Sequence, residues 1–263
     1  MTQTPRQRAI LDLVRDEDVT RVTDLADRLG VSDETIRRNV KALVDGGVLT
    51  KTHGGVGLVE QLVDAPFLQR LRVNADAKRA LAETVADQVA DGQVVMIDTG
   101  STTAFVAQAL GRRRDLTVIT NSLEIARHLV GRNGNRVYMA GGELRADLAA
   151  AVGAEAVAFI QQFRADLAIL SIAGMDPTGM FTDFDLDEAR VARVMIDGAA
   201  RTIVVADESK FGRRAPVTIC RPDEVDAVVV DAPPPAEIGR WLDAANVEVM
   251  LAAEIAGREP ASH

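Results

Sequence analysis

The chain has 263 residues, 47% apolar and 26% charged, an ordinary globular composition with room for one small domain beside one full-sized core. It contains no run of about 18 apolar residues, so no membrane partner is expected, and the single Cys220 excludes an internal disulfide. A formal net charge of −9 argues against non-specific polyanion binding, so any contact with nucleic acid must rest on a local basic face.

The N-terminus MTQTPRQR lacks an apolar signal core, which points to a cytoplasmic protein. Thr4 and Gln7 form a capping box with Pro5 at the first helical position, and Ile10, Leu13 and Val14 give that first helix a core face. Leu25, Ala26 and Leu29 mark a short second helix that ends at Gly30. After a tight turn at Val31 and Ser32, a third helix is predicted from Asp33 to about Asp45. Ser32 suits its N-cap, Asp33 and Glu34 complement its dipole, and Gly46-Gly47 stops it.

In this third helix Ile36, Val40, Leu43 and Val44 share one face. Thr35, Arg38 and Lys41 fall on the opposite face, with Arg37 at its flank. Two helices joined by a short turn, the second with a basic outer face, fit the major groove of DNA. Val48 to Val56 alternates apolar residues with Thr-Lys-Thr-His and closes on Gly54-Gly55, the pattern of a small β-wing. The candidate DNA contacts are Ser32, Thr35, Arg37, Arg38 and Lys41 on the helix and Lys51 and His53 on the wing. Residues 1–57 carry nine basic and nine acidic residues, whereas the remainder carries 21 and 30 and so holds the whole negative charge.

Glu60 to Asn74 contains Pro66 and breaks periodicity, so it reads as a connecting segment whose Phe67, Leu68 and Leu71 want burial. A helix returns from Ala75 to Ala90. Seven β-rich runs follow, at Val94–Asp98, Leu116–Thr120, Arg136–Ala140, Leu167–Ile172, Arg201–Ala206, Ala227–Val230 and Val247–Leu251. Helical stretches lie between most of them, at Ala104–Leu110, Leu123–Val130, Val152–Phe163, Glu188–Ala199 and Ala236–Ala245. The alternation predicts an α/β fold with a largely parallel sheet. The expected division is a winged helix-turn-helix domain at 1–57, a linker at 58–74, an α/β effector-binding domain at 75–256 and a tail at 257–263.

In an open α/β sheet, ligands bind beyond the carboxyl ends of the strands, and five successive strand ends here carry small or polar residues. The first is Asp98-Thr99-Gly100-Ser101-Thr102-Thr103, leading straight into a helix. Gly100 permits close backbone approach, and the helix amides and hydroxyls that follow suit an anion. The others are Thr120-Asn121-Ser122, Gly141-Gly142, Gly174 in SIAGMD, and Asp207 to Gly212. Lys210, one of four lysines beside 26 arginines, offers a point charge to a phosphate. Taken singly each loop is as well explained by capping and turning; their convergence at one edge makes the site. The sequence has neither GxGxxG nor GxxxxGK[ST], and His53, His128 and His263 make no metal-ligand cluster, so no cofactor is expected.

VSDETIRR followed by HGG, then DTGSTT, TNS, AGGELR, GMDPTG and ADESKFG, resemble in order and spacing the DeoR family of bacterial regulators over nearly the whole chain. Two departures stand in the head: Asn39 where the family usually has Asp, and Lys51 where it often has Arg. The resemblance implies a sensor domain similar to sugar-phosphate isomerases and an effector that is a phosphorylated sugar or related metabolite. Its phosphate would sit on Gly100, Ser101, Thr102 and Thr103, with Asp98, Asn121, Gly141, Gly142 and Lys210 around it. The partners implied are operator DNA and that effector, in a homo-oligomeric repressor of a carbohydrate-use operon. The competing reading is an isomerase or deaminase with a DNA-binding appendage, using Asp98, Asp207 or Glu143 as a base; the expectation is that the chain is not an enzyme. The Asp-rich FTDFDLDEAR stretch reads as a solvated loop.

Overall fold

A computed structural model describes residues 4–15, 20–45, 48–52, 55–58 and 67–252. The chain separates into two compact units, Met1–Ala65 and Pro66–His263. His53, Gly54, the helix stop at Gly46-Gly47, residues 59–66 of the connecting segment and the tail lie outside the described residues.

In the first unit α1 spans Pro5–Arg15. Its capping box forms as the sequence predicts: Gln7 N donates to Thr4 Oγ1 at 3.2 Å, and Thr4 N to Gln7 Oε1 at 2.8 Å. Helix α2, Val22–Leu29, ends on Gly30 at φ 61°, and α3 runs over Asp33–Asp45. Strands β1, Leu49–Thr52, and β2, Gly55–Leu58, pair antiparallel with Lys51 opposite Val56. Thr20 extends this wing by a bridge to Val56, amide to carbonyl at 2.9 Å in both directions. Ile10, Val14, Leu25, Ile36, Val40, Leu43, Leu49 and Val56 form one buried cluster that joins all three helices to the wing.

The second unit opens with α4, Phe67–Arg70, and α5, Ala75–Asp87. Strand β3, Val94–Ile97, is followed by α6, Ser101–Ala109, then β4, Thr117–Thr120, α7, Leu123–Leu129, and β5, Arg136–Met139. A hairpin of β6, Glu143–Arg145, and β7, Ala150–Val152, precedes α8, Ala154–Ile160, and β8, Leu167–Ser171. Next come β9, Gly174–Met175, β10, Phe181–Asp183, α9, Leu186–Gly198, and β11, Thr202–Ala206. Strand β12, Val217–Cys220, β13, Ala227–Val230, α10, Ala236–Ala244, and β14, Glu248–Leu251, complete it.

The seven strands expected from the sequence make one parallel sheet in the order β14-β13-β11-β8-β3-β4-β5. Both faces are covered, which is why these strands read as nearly unbroken apolar runs. Val95 and Ile97 face a core shared with Leu81, Val85, Phe105 and Ile125 of α5, α6 and α7. Met96 points the other way, into a core with Ile160, Ala192, Met195 and Leu242 of α8, α9 and α10. The chain winds outward from β3 to β5, then returns to β8 on the other side of β3. The sheet's switch point therefore lies between β3 and β8.

Three features depart from expectation. The β6–β7 hairpin and the antiparallel patch β12-β10-β9 carry no readable alternation, because strands of two to four residues are too short to show one. Phe67 is buried as expected, but Leu68 is 73% exposed. The FTDFDLDEAR stretch is no solvated loop: it supplies β10 and the cap of α9, where Asp185 accepts from the amides of Asp187 and Glu188 at 2.9 and 3.1 Å. Cys220 is buried in the patch, and that burial pushes its thiol up to about 12. Among the described residues no helix is long and apolar enough to cross a membrane.

Gly55 is placed where a Cβ would lie 2.3 Å from the carbonyl oxygen of Thr20. Gly55→Ala is expected to break the Thr20–Val56 bridge and destabilise the first unit by about 1–3 kcal/mol. Denaturant unfolding followed by far-ultraviolet circular dichroism would check this, with a separate early transition as the expected sign.

Candidate functional site

On α3 the sequence-predicted basic face is present. Arg37, Arg38 and Lys41 are exposed, and none is held in an ion pair among the described residues. Asn39 instead turns onto its own helix, donating to the Thr35 carbonyl at 2.8 Å. The Ser32 and Thr35 hydroxyls lie 3.0 Å apart at the start of the helix, which orders the turn beneath the arginines. Lys51 sits in the register of the wing through its backbone pairing with Val56. The second unit treats its arginines differently: Arg79, Arg112, Arg127, Arg145, Arg190, Arg193, Arg201 and Arg221 are each paired with a carboxylate. Arg72, Arg114, Arg132, Arg136 and Arg240 of that unit are nevertheless exposed without a carboxylate partner among the described residues.

At the switch point Asp98 ends β3 and Ser171 ends β8. The amide of Ser171 donates to both carboxylate oxygens of Asp98, at 3.1 and 3.0 Å, and the Ser171 hydroxyl donates to the Thr99 carbonyl at 3.3 Å. Gly100 adopts φ 175°, extended backbone open to any residue. The glycine is required by crowding instead: a Cβ there would lie 2.0 Å from Ser171 Oγ and 2.8 Å from its Cβ. Beyond it, the first bond of α6 runs from Ala104 N to Gly100 O at 3.0 Å, leaving the amides of residues 101–103 outside the helix ladder.

The four hydroxyls of this loop divide in two. Thr103 is fully buried and its hydroxyl is shared between the carbonyls of Asp98 and Gly100, at 3.0 and 3.1 Å, so it is not an outward donor as the sequence suggested. Thr99 donates to Leu148 O at 3.1 Å. Ser101 and Thr102 make no side-chain hydrogen bond among the described residues. Two hydroxyls and three amides therefore converge without internal partners.

The other strand ends lie on the same edge. Asn121, after β4, is fully buried and holds the hairpin, with Nδ2 donating to Ala151 O at 3.0 Å, while its Oδ1 has no partner among the described residues. Gly142 at φ 134° launches the hairpin, where a Cβ would lie 2.7 Å from Val152 O; Gly141 is unconstrained. Asp207 follows β11 and caps a turn over Glu208–Lys210, with Lys210 half-buried at its end. β11 and β5, which precede Lys210 and Gly141, each lie two strands, about 10 Å, from β3, and β4, which precedes Asn121, lies one strand away.

The structure also brings in residues the sequence left unassigned. Asp183 is buried and close enough to Asp98 to act on its charge. Asp183 Oδ1 accepts from the amide of Asp185 at 3.1 Å, and Arg145 bridges Asp185 and Asp147. The unusual run of aspartates was the available signal for this group; Ser171 carried none. Burial holds the Asp98 carboxyl well above the usual carboxylate range; the Ser171 amide opposes this, and the charge of Asp183 adds to the rise. Among the described residues no group of His, Cys, Asp and Glu could hold a metal ion.

A winged head with unpaired cations, joined to a doubly wound domain with unpartnered donors at the helix start beside its switch point, defines a ligand-responsive DNA-binding regulator. The chain matches the DeoR-like helix-turn-helix domain over residues 6–62 and the DeoR C terminal sensor domain over residues 73–232. It is 35% identical to the glycerol-3-phosphate regulon repressor of Escherichia coli (strain K12), covering 95% of this chain and 100% of that protein. It is 34% identical to the HTH-type transcriptional repressor CsqR of the same organism, over 97% of each chain. It is also 36% identical to the transcriptional repressor AccR of Agrobacterium fabrum (strain C58 / ATCC 33970), over 86% of this chain and 89% of that one. The chain belongs to the DeoR family of transcriptional regulators, and the enzyme reading falls. A ribose 5-phosphate isomerase A from Methanocaldococcus jannaschii matches 52% of this chain and 54% of its own at a TM-score of 0.39 and 19% identity, too slight a likeness to bear on chemistry.

Because the Asp98 carboxyl is raised above its ordinary 3.8, the folded state holds that proton more tightly than the unfolded chain. The stability this group contributes is present below that ordinary value and lost as pH rises through the folded value. Asp98→Asn is therefore expected to raise the melting temperature more at pH 8 than at pH 4, as scanning calorimetry at the two pH values would show.

Proposed function

We propose that the protein is a cytoplasmic, homo-oligomeric repressor whose α3 reads operator DNA and whose switch-point recess takes a small monophosphorylated sugar or polyol. On the DNA side Arg38 and Lys41 face the groove, Arg37 the adjoining backbone, Ser32 and Thr35 the helix start, and Lys51 and His53 the wing contact. On the effector side the phosphate lies against the amides of residues 101–103 and the hydroxyls of Ser101 and Thr102, at the positive end of α6. Asp98, buried and raised, meets a neutral hydroxyl rather than a second anion, and Asp183 beside it disfavours any further negative group. Asn121 Oδ1 and Lys210 flank the ligand from the neighbouring strand ends. Gly100 keeps the Ser171 side chain close beneath it.

The observation that carries the reading is the set of unpartnered donors at residues 101–103 directly beside two buried carboxyls. That combination suits a ligand with a dianionic head and a hydroxyl-rich tail. The carbohydrate setting is supported by the family and by the relative named for a glycerol 3-phosphate regulon. Regulators of this kind work on paired half-sites, since one three-helix head buries little DNA surface and a second adds effective concentration. The association surface is expected on the 75–263 domain.

A thermal-shift panel of glycerol 3-phosphate, ribose 5-phosphate, glucose 6-phosphate and fructose 6-phosphate tests the effector class. A ligand at about 100 times its dissociation constant stabilises the chain by roughly 2.7 kcal/mol. Ser101→Ala is expected to weaken that ligand more than tenfold, a hydrogen bond to a charged group contributing about 1.5–3 kcal/mol. No shift with any of the four, or an unchanged midpoint in Ser101→Ala, would remove the recess as the phosphate site.

Arg37→Ala and Arg38→Ala are expected to weaken operator binding without lowering the melting temperature, since both side chains are exposed. A base-reading arginine costs about 1–3 kcal/mol at one position, whereas a phosphate contact lowers the salt slope by about one for every sequence. Titration of each variant against an operator selected from random duplex, at several salt concentrations, separates these. Full affinity in both variants would exclude α3 as the reader, and full affinity in a sedimenting monomer would exclude the oligomer.

A further inference from the structure

Asn74 stands at the N-cap of α5, where an Asn side chain ordinarily accepts an amide of the first turn. It makes no such bond here. Its backbone is left-handed at φ 51° and ψ 36°, and its Nδ2 instead donates to Asp207 Oδ1 at 3.3 Å, across 133 residues of sequence. That same oxygen accepts the Ser209 amide at 3.0 Å and the Ser209 hydroxyl, so the bond grips the hinge of the turn that carries Lys210. Asp207 is 2% exposed while Asn74 is itself exposed, so the bond is buried on the acceptor's side only.

The segment behind Asn74 is held as one body. Lys78 Nζ, buried on α5, donates to Arg70 O at 2.6 Å and Val73 O at 2.9 Å, fixing the end of α4 and its turn to α5. At the other end Phe67 N donates to Asp147 O at 2.9 Å. Asp147 is paired with Arg145, and Arg145 with Asp185, two residues from the Asp183 that acts on Asp98. Residues 67–74 are the first described stretch after the wing. They are thus bonded to loops on both sides of the switch point, and the chain leads from them to the DNA-binding head.

From this we infer that Asn74 is a positioning residue for regulation, transmitting movement of the 207–210 turn to the segment that leads to the head. The inference rests on the effector reading above. A ligand that draws Lys210 inward displaces Asp207 Oδ1, and the Asn74 bond must follow or break. The turn and the connecting segment thereby share one two-state element, which is the physical requirement for coupling.

The test compares full-length wild type with Asn74→Gly, which keeps the left-handed backbone and deletes the amide, and Asn74→Asp, which keeps the shape and sets a carboxylate against Asp207. The probe is whichever of the four phosphates above shifts wild type most, and the DNA is the selected operator. Two quantities are read: the dissociation constant for the probe, and the ratio of operator affinities with and without it. Both variants are expected to bind the probe within about threefold of wild type while the ratio falls at least about fivefold toward unity, ordinary coupling spanning about 5–150-fold. An unchanged ratio in both variants overturns the inference, as does a ratio that falls only in proportion to lost probe affinity. A wild type that responds to none of the four phosphates overturns the effector reading and this inference with it.

Discussion

The bond between the Ser171 amide and the buried carboxylate of Asp98 fastens together the two strands at which the sheet reverses its direction of winding. Everything at the recess depends on that closure. It brings the end of β8 so near the loop after β3 that only a residue without a side chain fits at position 100. A carboxyl group out of water is an unfavourable thing to place there, and Asp98 is tolerated because two oxygens share a backbone donor and the group holds its proton tightly. The bond that shapes the site therefore favours the ionised carboxylate, while burial of the same group resists ionisation and prevails.

The large sheet was legible in the sequence because its five central strands are almost wholly buried and the strands are followed by polar or glycine-rich breaks; the edge strands β5 and β14 are partly exposed. The head was legible for a different reason: caps, periodicity and the basic face of α3 all agree, down to the reciprocal bonds of Thr4 and Gln7. What could not be read were contacts between residues distant in sequence. Nothing around Ser171 marks it as the partner of Asp98, and nothing in Asn74 beyond its type marks it as the partner of Asp207. Loop hydroxyls look alike in a string, yet Thr99 and Thr103 donate to backbone carbonyls while Ser101 and Thr102, though also buried, make no such bond among the described residues. The aspartates of residues 183–187 were visible but misread, since a run of charges ordinarily means solvent and here means a strand end and a helix cap.

Charge is divided between the two units by pairing rather than by number. The head is neutral overall, and the rest of the chain carries the whole −9. Even so, the second unit is rich in arginine; many of its guanidinium groups, such as those of Arg112, Arg145 and Arg193, are engaged with neighbouring carboxylates, while others, such as Arg114 and Arg132, are exposed without one among the described residues. Surface pairs of this kind contribute at most about 1 kcal/mol each to stability. Their larger effect is to reduce the number of free guanidinium groups that a 26-arginine protein offers to nucleic acid.

Cys220, sunk in the small antiparallel patch with its thiol pushed up to about 12, is the sole sulfhydryl of the chain and an unreactive one. Alkylating agents and mild oxidants find no thiolate at neutral pH. A cysteine introduced at any exposed position would accordingly be the one site that takes a spin label or fluorophore. The protein as it stands is a ready background for measuring distances between head and sensor by spectroscopy, without first removing a native thiol.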